Sequence, residues 1–177
     1  FPIYSNLYNP IIDLTEELIS PVVFVGGDDK LYAIDASNGN LMREYLTGGD
    51  VHSSPVVSCD GATVFVGSHD KKLYAFDTRM SNCKKWEFLT GGWVESSPAL
   101  SSDGATVFVG TQSPDNKLYA VNTADGTKKW EFLTGGWVES SPALSSDGAT
   151  SSEGRRDSKH YTTHTPDDHK KKKIRAG

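Results

Sequence analysis

The sequence predicts an all-β chain, and three observations predict it. Short apolar blocks recur in a fixed order: Val-Phe-Val-Gly at 23–26, 64–67 and 107–110, and Lys-Leu-Tyr-Ala at 30–33, 72–75 and 117–120. Turn signals recur between them, with Thr-Gly-Gly from 47, 90 and 134, Ser-Ser-Pro from 53, 96 and 140, and Asp-Gly-Ala-Thr from 60, 103 and 147. The apolar blocks are short, rich in β-branched and aromatic residues, and bounded by Gly, Asp and Ser, which marks strands. The resulting period of 41 to 45 residues is that of a four-stranded propeller blade, since helical repeats of that length need sustained 3.6-residue periodicity. The predicted fold is a partial β-propeller of about three four-stranded antiparallel blades, with a disordered C-terminal tail.

The third unit shows the strands most cleanly. Residues 94–101 form the inner strand, interrupted by Pro98, and Asp103-Gly104 supplies a positive-φ turn. The second strand is 106–111, the third 117–122 and the outer one 129–133. Val107 and Val109 point to one face and Phe108 to the other, then Leu118 and Ala120 oppose Tyr119 and Val121. Apolar residues on both faces fit a blade packed between neighbours. The same register predicts strands at 51–58, 63–67, 72–77 and 84–89 in the second unit. The first unit has three, at 22–26, 30–35 and 41–46, and a lone inner strand at 138–145 follows the third. Lys84 to Thr106 and Lys128 to Thr150 are identical over 23 positions, the mark of a tandem duplication.

Composition narrows the function classes. The chain has 177 residues and a net charge of −5, but the charge is divided. Residues 1–150 carry 10 Lys/Arg and 19 Asp/Glu, net −9, and residues 151–177 carry 8 and 4, net +4. An acidic body gives no indication of nucleic-acid binding, which rests on clustered Lys and Arg. No apolar run approaches the roughly 20 residues of a membrane helix. Residues 1–21 form a poorly defined lead segment. The sequence starts on Phe1 with no leader pattern, so it is read as processed or a fragment.

The repeat resembles the blade of the pyrroloquinoline-quinone (PQQ) type β-propellers, known by an Ala-x-Asp-x-x-x-Gly-x-x-x-Trp pattern. Ala120, Asn122, Gly126 and Trp130 match its spacing, with Asn122 in place of the acid. Ala75, Asp77 and Trp86 match in the second unit with one residue inserted and no glycine, and Ala33, Asp35 and Gly39 match in the first, with Arg43 where Trp is expected. The resemblance covers about residues 22–150. It implies that Trp86 and Trp130, with Ala75, Ala120 and Gly126, dock one blade on the next. Relatives of this type include quinoprotein dehydrogenases, an outer-membrane assembly lipoprotein, and sensor or scaffold domains. The dehydrogenases close eight blades around PQQ and calcium with a vicinal disulfide, and no Cys-Cys pair exists here. Their catalytic positions find no match, so no catalytic residue is assigned.

Ligand binding is expected at the channel rim. Trp93 and Trp137 follow Gly-Gly in the loop leading to the next inner strand, where propellers present binding residues; the alternative is that they cover blade ends. Two residues further stand Glu95 and Glu139, with His52 equivalent in the preceding unit. They read as ligand contacts or as solvated rim charges. No metal site is assigned. Asp28-Asp29-Lys30 and Asp70-Lys71-Lys72 read as hairpin turns, not calcium loops. The Ser-Ser-Asp-Gly-Ala-Thr block, similar to the Asp-box of other propellers but spaced differently, reads as a turn. His160, His164 and His169 read as part of a solvated tail. Cys59 and Cys83 fall in turns two strand spacings apart and are expected as free thiols.

Three blades do not close a ring, so the chain is read as a fragment of a longer propeller or as half of a homodimeric one. The duplicated block stops at Thr150, and the next 27 residues hold no Val, Leu, Phe, Met or Trp; such a segment cannot offset its ordering entropy. The expected function is a non-catalytic module that binds a protein or small ligand. The alternative is a fragment of a quinoprotein oxidoreductase, with PQQ and calcium as cofactors.

Overall fold

The computed structural model describes residues 20–145, together with the backbone of strands 150–153 and 161–164. Three antiparallel sheets follow the repeat. The first contains β1 (Val22–Gly27), β2 (Lys30–Asp35) and β3 (Leu41–Leu46), in that spatial order. The second holds β4 (Val56–Val57), β5 (Thr63–Ser68), β6 (Lys72–Asp77) and β7 (Lys84–Leu89). The third holds β8 (Ala99–Leu100), β9 (Thr106–Gly110), β10 (Lys117–Asn122) and β11 (Lys128–Leu133). Each blade carries the same bulge, after Ala33, Ala75 and Ala120. A fourth sheet pairs β12 (Ala143–Leu144) with the backbone of β13 (Thr150–Glu153) and β14 (Tyr161–His164).

The predicted outer three strands of every blade stand within a residue of their expected limits. The inner strands do not. Regular pairing is confined to residues 56–57, 99–100 and 143–144, instead of the eight-residue spans 51–58, 94–101 and 138–145. Pro55, Pro98 and Pro142 immediately precede these pairs, and a proline has no N–H for the ladder. Upstream of them the chain bonds sideways to the blade before it: Val51 N donates to Asp28 O at 2.8 Å, Val94 N to Ser68 O at 3.2 Å and Val138 N to Thr111 O at 3.1 Å. The Ser53 hydroxyl accepts from Gly67 N at 3.0 Å where a backbone carbonyl would otherwise pair. The disorder expected over 151–177 concerns residues outside the described ones, except for β13 and β14, whose backbone is paired, and of the lead segment expected over 1–21 all but residues 20 and 21 likewise lie outside them.

Burial on both faces of the central strands arises as the alternation predicted. Val64, Val66, Tyr74 and Phe76 pack with Leu31, Ala33, Tyr45 and Val51 between the first two blades. Phe65, Leu73, Ala75 and Trp86 on the opposite face of the second blade meet Val107, Val109, Tyr119 and Val121 of the third. Phe108, Leu118 and Ala120 pack with Trp130 and Phe132 of their own blade and with Leu144 of β12. One recurrent contact sets the spacing. A Cβ placed on Gly26, Gly67 or Gly110 would overlap Val51, Val94 or Val138 respectively. Thus the glycine of Val-Phe-Val-Gly is the socket for the valine that opens the next blade. Both thiols, Cys59 and Cys83, are free as expected.

The turn signals act through named bonds. Gly61 and Gly104 have φ of +70° and +69°, the left-handed region that an Asp-Gly turn needs. Asp60 and Asp103 accept from Ala62 N and Ala105 N at 3.0 and 2.9 Å, which holds each carboxyl below its usual range, first through the adjacent Ser58 or Ser101 hydroxyl. No helix among the described residues is long and apolar enough to cross a membrane.

Candidate functional site at the blade rim

Of the residues expected to dock one blade on the next, Trp86 and Gly126 meet across a blade interface. Trp86, on β7, donates its indole N–H to Thr123 O of the third blade at 2.9 Å. Its ring lies where a Cβ on Gly126 would come within 2.8 Å, and Gly126 has φ of +75°. The motif's glycine and tryptophan therefore meet across blades. Ala75 and Ala120 are fully buried opposite Trp86 and Trp130 in the strand register. Trp130 is half-buried against Phe108, with ring centres 5.7 Å apart. In the first blade Arg43 occupies the tryptophan's register position. Tyr45, two residues on, replaces it: the side chain is fully buried and its hydroxyl donates to Thr78 O at 3.2 Å.

Loops on one side of the blades bring the rim residues into a continuous row. The segment entering each blade is tied to that blade's β-turn by equivalent backbone bonds, His69 N to Asp50 O and Gln112 N to Trp93 O, both 2.9 Å. Asp70 and Asp115 anchor the preceding Gly-Gly loop, accepting from Gly48 N and Gly91 N at 3.1 Å each. They also accept from the hydroxyls of Tyr74 and Tyr119. Burial, reinforced by that carboxylate, pushes both phenols well above their ordinary range.

On this frame the His52 and His69 rings lie 4.3 Å apart, and His69 stacks on Trp93 at 4.9 Å with 14° between planes. Glu95 Oε1 stands 3.0 Å from His69 Nε2, close enough for an ion pair but out of line for a hydrogen bond. Gln112 donates to Glu95 at 2.6 Å and to Glu139 at 3.3 Å. Trp93 and Trp137 keep 48% and 43% of their surface exposed, two residues before Glu95 and Glu139. Four of the five rim residues expected from sequence, His52, Trp93, Glu95 and Glu139, thus fall in one chain of contacts, with Trp137 adjoining it in sequence. Sequence reasoning missed Asp50, His69 and Gln112. A signal was present for two of them: His69 and Gln112 stand two places after the glycine of Val-Phe-Val-Gly, in the hairpin loop where the repeat changes both identity and length.

Stacked antiparallel four-stranded units with reciprocal blade contacts define a β-propeller blade protein. A family model described as outer membrane protein assembly factor BamB matches residues 19–132 and, overlapping, 50–156. The chain belongs to this family of PQQ-like repeats. It is similar in fold to a solved structure described as Kuenenia stuttgartiensis hydrazine synthase, with a TM-score of 0.63 and 20% identity over 71% of this chain. The match spans 35% of that structure's chain. No curated protein matches the sequence.

Proposed function

We propose that the chain is a non-catalytic binding module whose rim engages a protein or small ligand, one that presents basic or aromatic groups. The observation that carries this reading is the row His52, His69, Trp93, Glu95, Gln112 and Glu139, contributed by successive blade entries and turns. Exposed indoles give a flat stacking and cation–π surface, and the carboxylates beside them favour a cation. A basic and aromatic peptide array probed with labelled protein tests it. Signals that fall when Trp93→Ala and Glu139→Gln are introduced support the reading, and signals indifferent to both changes overturn it. Bound-quinone absorbance and dye reduction with PQQ and Ca²⁺ would instead favour the oxidoreductase alternative.

A second observation supports assembly with further blades. Val23 and Val25 are 49% and 43% exposed, whereas their repeat equivalents Val64, Val66, Val107 and Val109 are fully buried against the preceding blade. The face they form suits another blade of the same repeat, supplied by a longer reading frame or by a second copy that completes a ring. Sedimentation velocity decides for the second copy: a dimer supports it, and a compact monomer rules it out.

A further inference from the structure

We propose that Asp50, His52 and His69 form a binding site for a divalent transition-metal ion of the zinc and cobalt class. One carboxylate oxygen and one nitrogen from each imidazole all lie within 4.8 Å of one another. A tetrahedral ion with bonds of about 2.0–2.2 Å needs its ligand atoms roughly 3.4 Å apart. Asp50 and His52 are exposed, so rotation of their side chains closes that difference. Two imidazoles and a carboxylate select a borderline transition metal over calcium or magnesium, which prefer all-oxygen sets. Three protein ligands leave coordination positions for water or for a group on a partner.

The backbone beneath the three groups is fixed. His69 N donates to Asp50 O at 2.9 Å, and the Ser68 hydroxyl to Gly49 O at 2.8 Å, which ties the two ligand-bearing segments together. Glu95 Oε1, 3.0 Å from His69 Nε2, needs only a small rotation to accept from that ring and orient it, as outer carboxylates do for metal-bound histidines. Trp93 stacked on the same ring blocks one of its faces.

The third blade is an internal control. The equivalent positions there are Trp93, Glu95 and Gln112, held by the same backbone bond. The repeat's frame therefore does not require a histidine or an aspartate at any of the three, and the second blade carries a strong ligand group at all three where the third carries one only at Glu95. This inference goes beyond the rim reading and does not depend on it: a rim that takes no other ligand can hold a metal, and failure to bind metal leaves the peptide-array test intact.

Titration of the full chain with Co²⁺, followed by visible d–d absorption and tryptophan emission, tests the assignment, with Zn²⁺ as competitor. Because the tail carries His160, His164 and His169, a companion chain has these three changed to Gln. One saturable equivalent that survives in the companion is expected. His69→Gln and His52→Ala should each weaken Co²⁺ by more than the ~10- to 100-fold that loss of an outer partner costs. As a positioning residue, Glu95→Gln should weaken it within that range and shift the band. Glutamine stands naturally in the sister slot, so His69→Gln should fold, and a thermal melt checks it. The absence of a saturable site in the companion chain, or variants that titrate like the parent, would overturn the proposal.

Discussion

In the second blade Asp70 accepts from Tyr74 and from Gly48 of the blade before it; in the third, Asp115 accepts from Tyr119 and Gly91. Lys72, Glu87 and Lys84 form a surface triad that Lys117, Glu131 and Lys128 repeat. Lys85 and Lys129, at the bulges, reach the same threonine and carbonyl in their own blades. Yet at the rim, in equivalent slots, one blade carries Asp50, His52 and His69 and the other Trp93, Glu95 and Gln112. The difference teaches how labour is divided in the repeat. Positions that satisfy backbone, fill the space between blades or pair across the strands of one blade are copied, and loop positions held over a fixed backbone frame are open to chemistry.

The largest expected effect tests the copied part. Trp86→Ala removes a buried indole and its bond to Thr123 O and should cost about 3–5 kcal/mol in chemical denaturation. Trp130→Ala, at the equivalent but half-buried position, should cost roughly half as much, in proportion to buried area. Equal losses would break the claim that docking on the next blade distinguishes the two tryptophans.

A smaller effect is expected from the sockets. Gly67→Ala forces its methyl into Val94 and should destabilise by about 1–3 kcal/mol. Gly27→Ala, whose nearest neighbour is at an ordinary 3.5 Å, should stay within about 0.5 kcal/mol. Denaturation midpoints that fail to separate the two would remove the socket from the account.

Acid sensitivity should differ between the blades. The Asp77 carboxyl is held well below the usual range, first by the Arg79 guanidinium and backbone beside it, whereas Asn122 stands at its place in the third blade. A folded value below the unfolded one means stability present above about pH 4 and lost as pH falls further. Melting temperatures between pH 5 and 2.5 should therefore fall less steeply in Asp77→Asn than in the parent chain. An unchanged slope would show that the pair contributes nothing. At the rim, His69→Gln gives up ring contacts with His52 and Trp93 but places the residue that the third blade carries at Gln112, and should change stability by about 1 kcal/mol or less; a larger loss in the same melts would mean that the slot is structural.

Much of this was readable in the residues themselves. The period gave the blades, and alternation along Val107 to Gly110 and Lys117 to Asn122 gave both buried faces. The inner strands were overextended because periodicity reports which residues are apolar, not where their N–H groups bond; Val51, Val94 and Val138 are apolar because they fill a glycine socket in the preceding blade. Tyr45 was missed as a docking residue because it stands two places from the motif's tryptophan, and only the path of β3 shows that its hydroxyl reaches Thr78. The rim was half legible. His52, Glu95 and Glu139 share a repeat position, but Asp50 and His69 are 19 residues apart in sequence and become neighbours through one backbone bond.

The sequence by itself determined the all-β class, the blade period, the turn chemistry and the family, because these follow from local conformational preference and from repetition along one chain. Tertiary structure alone decided which glycine receives which valine, which aromatic crosses to the next blade, and that two histidines and an aspartate come within 4.8 Å of one another. Those are contacts between segments, and their free energy depends on distances that no single stretch of sequence encodes.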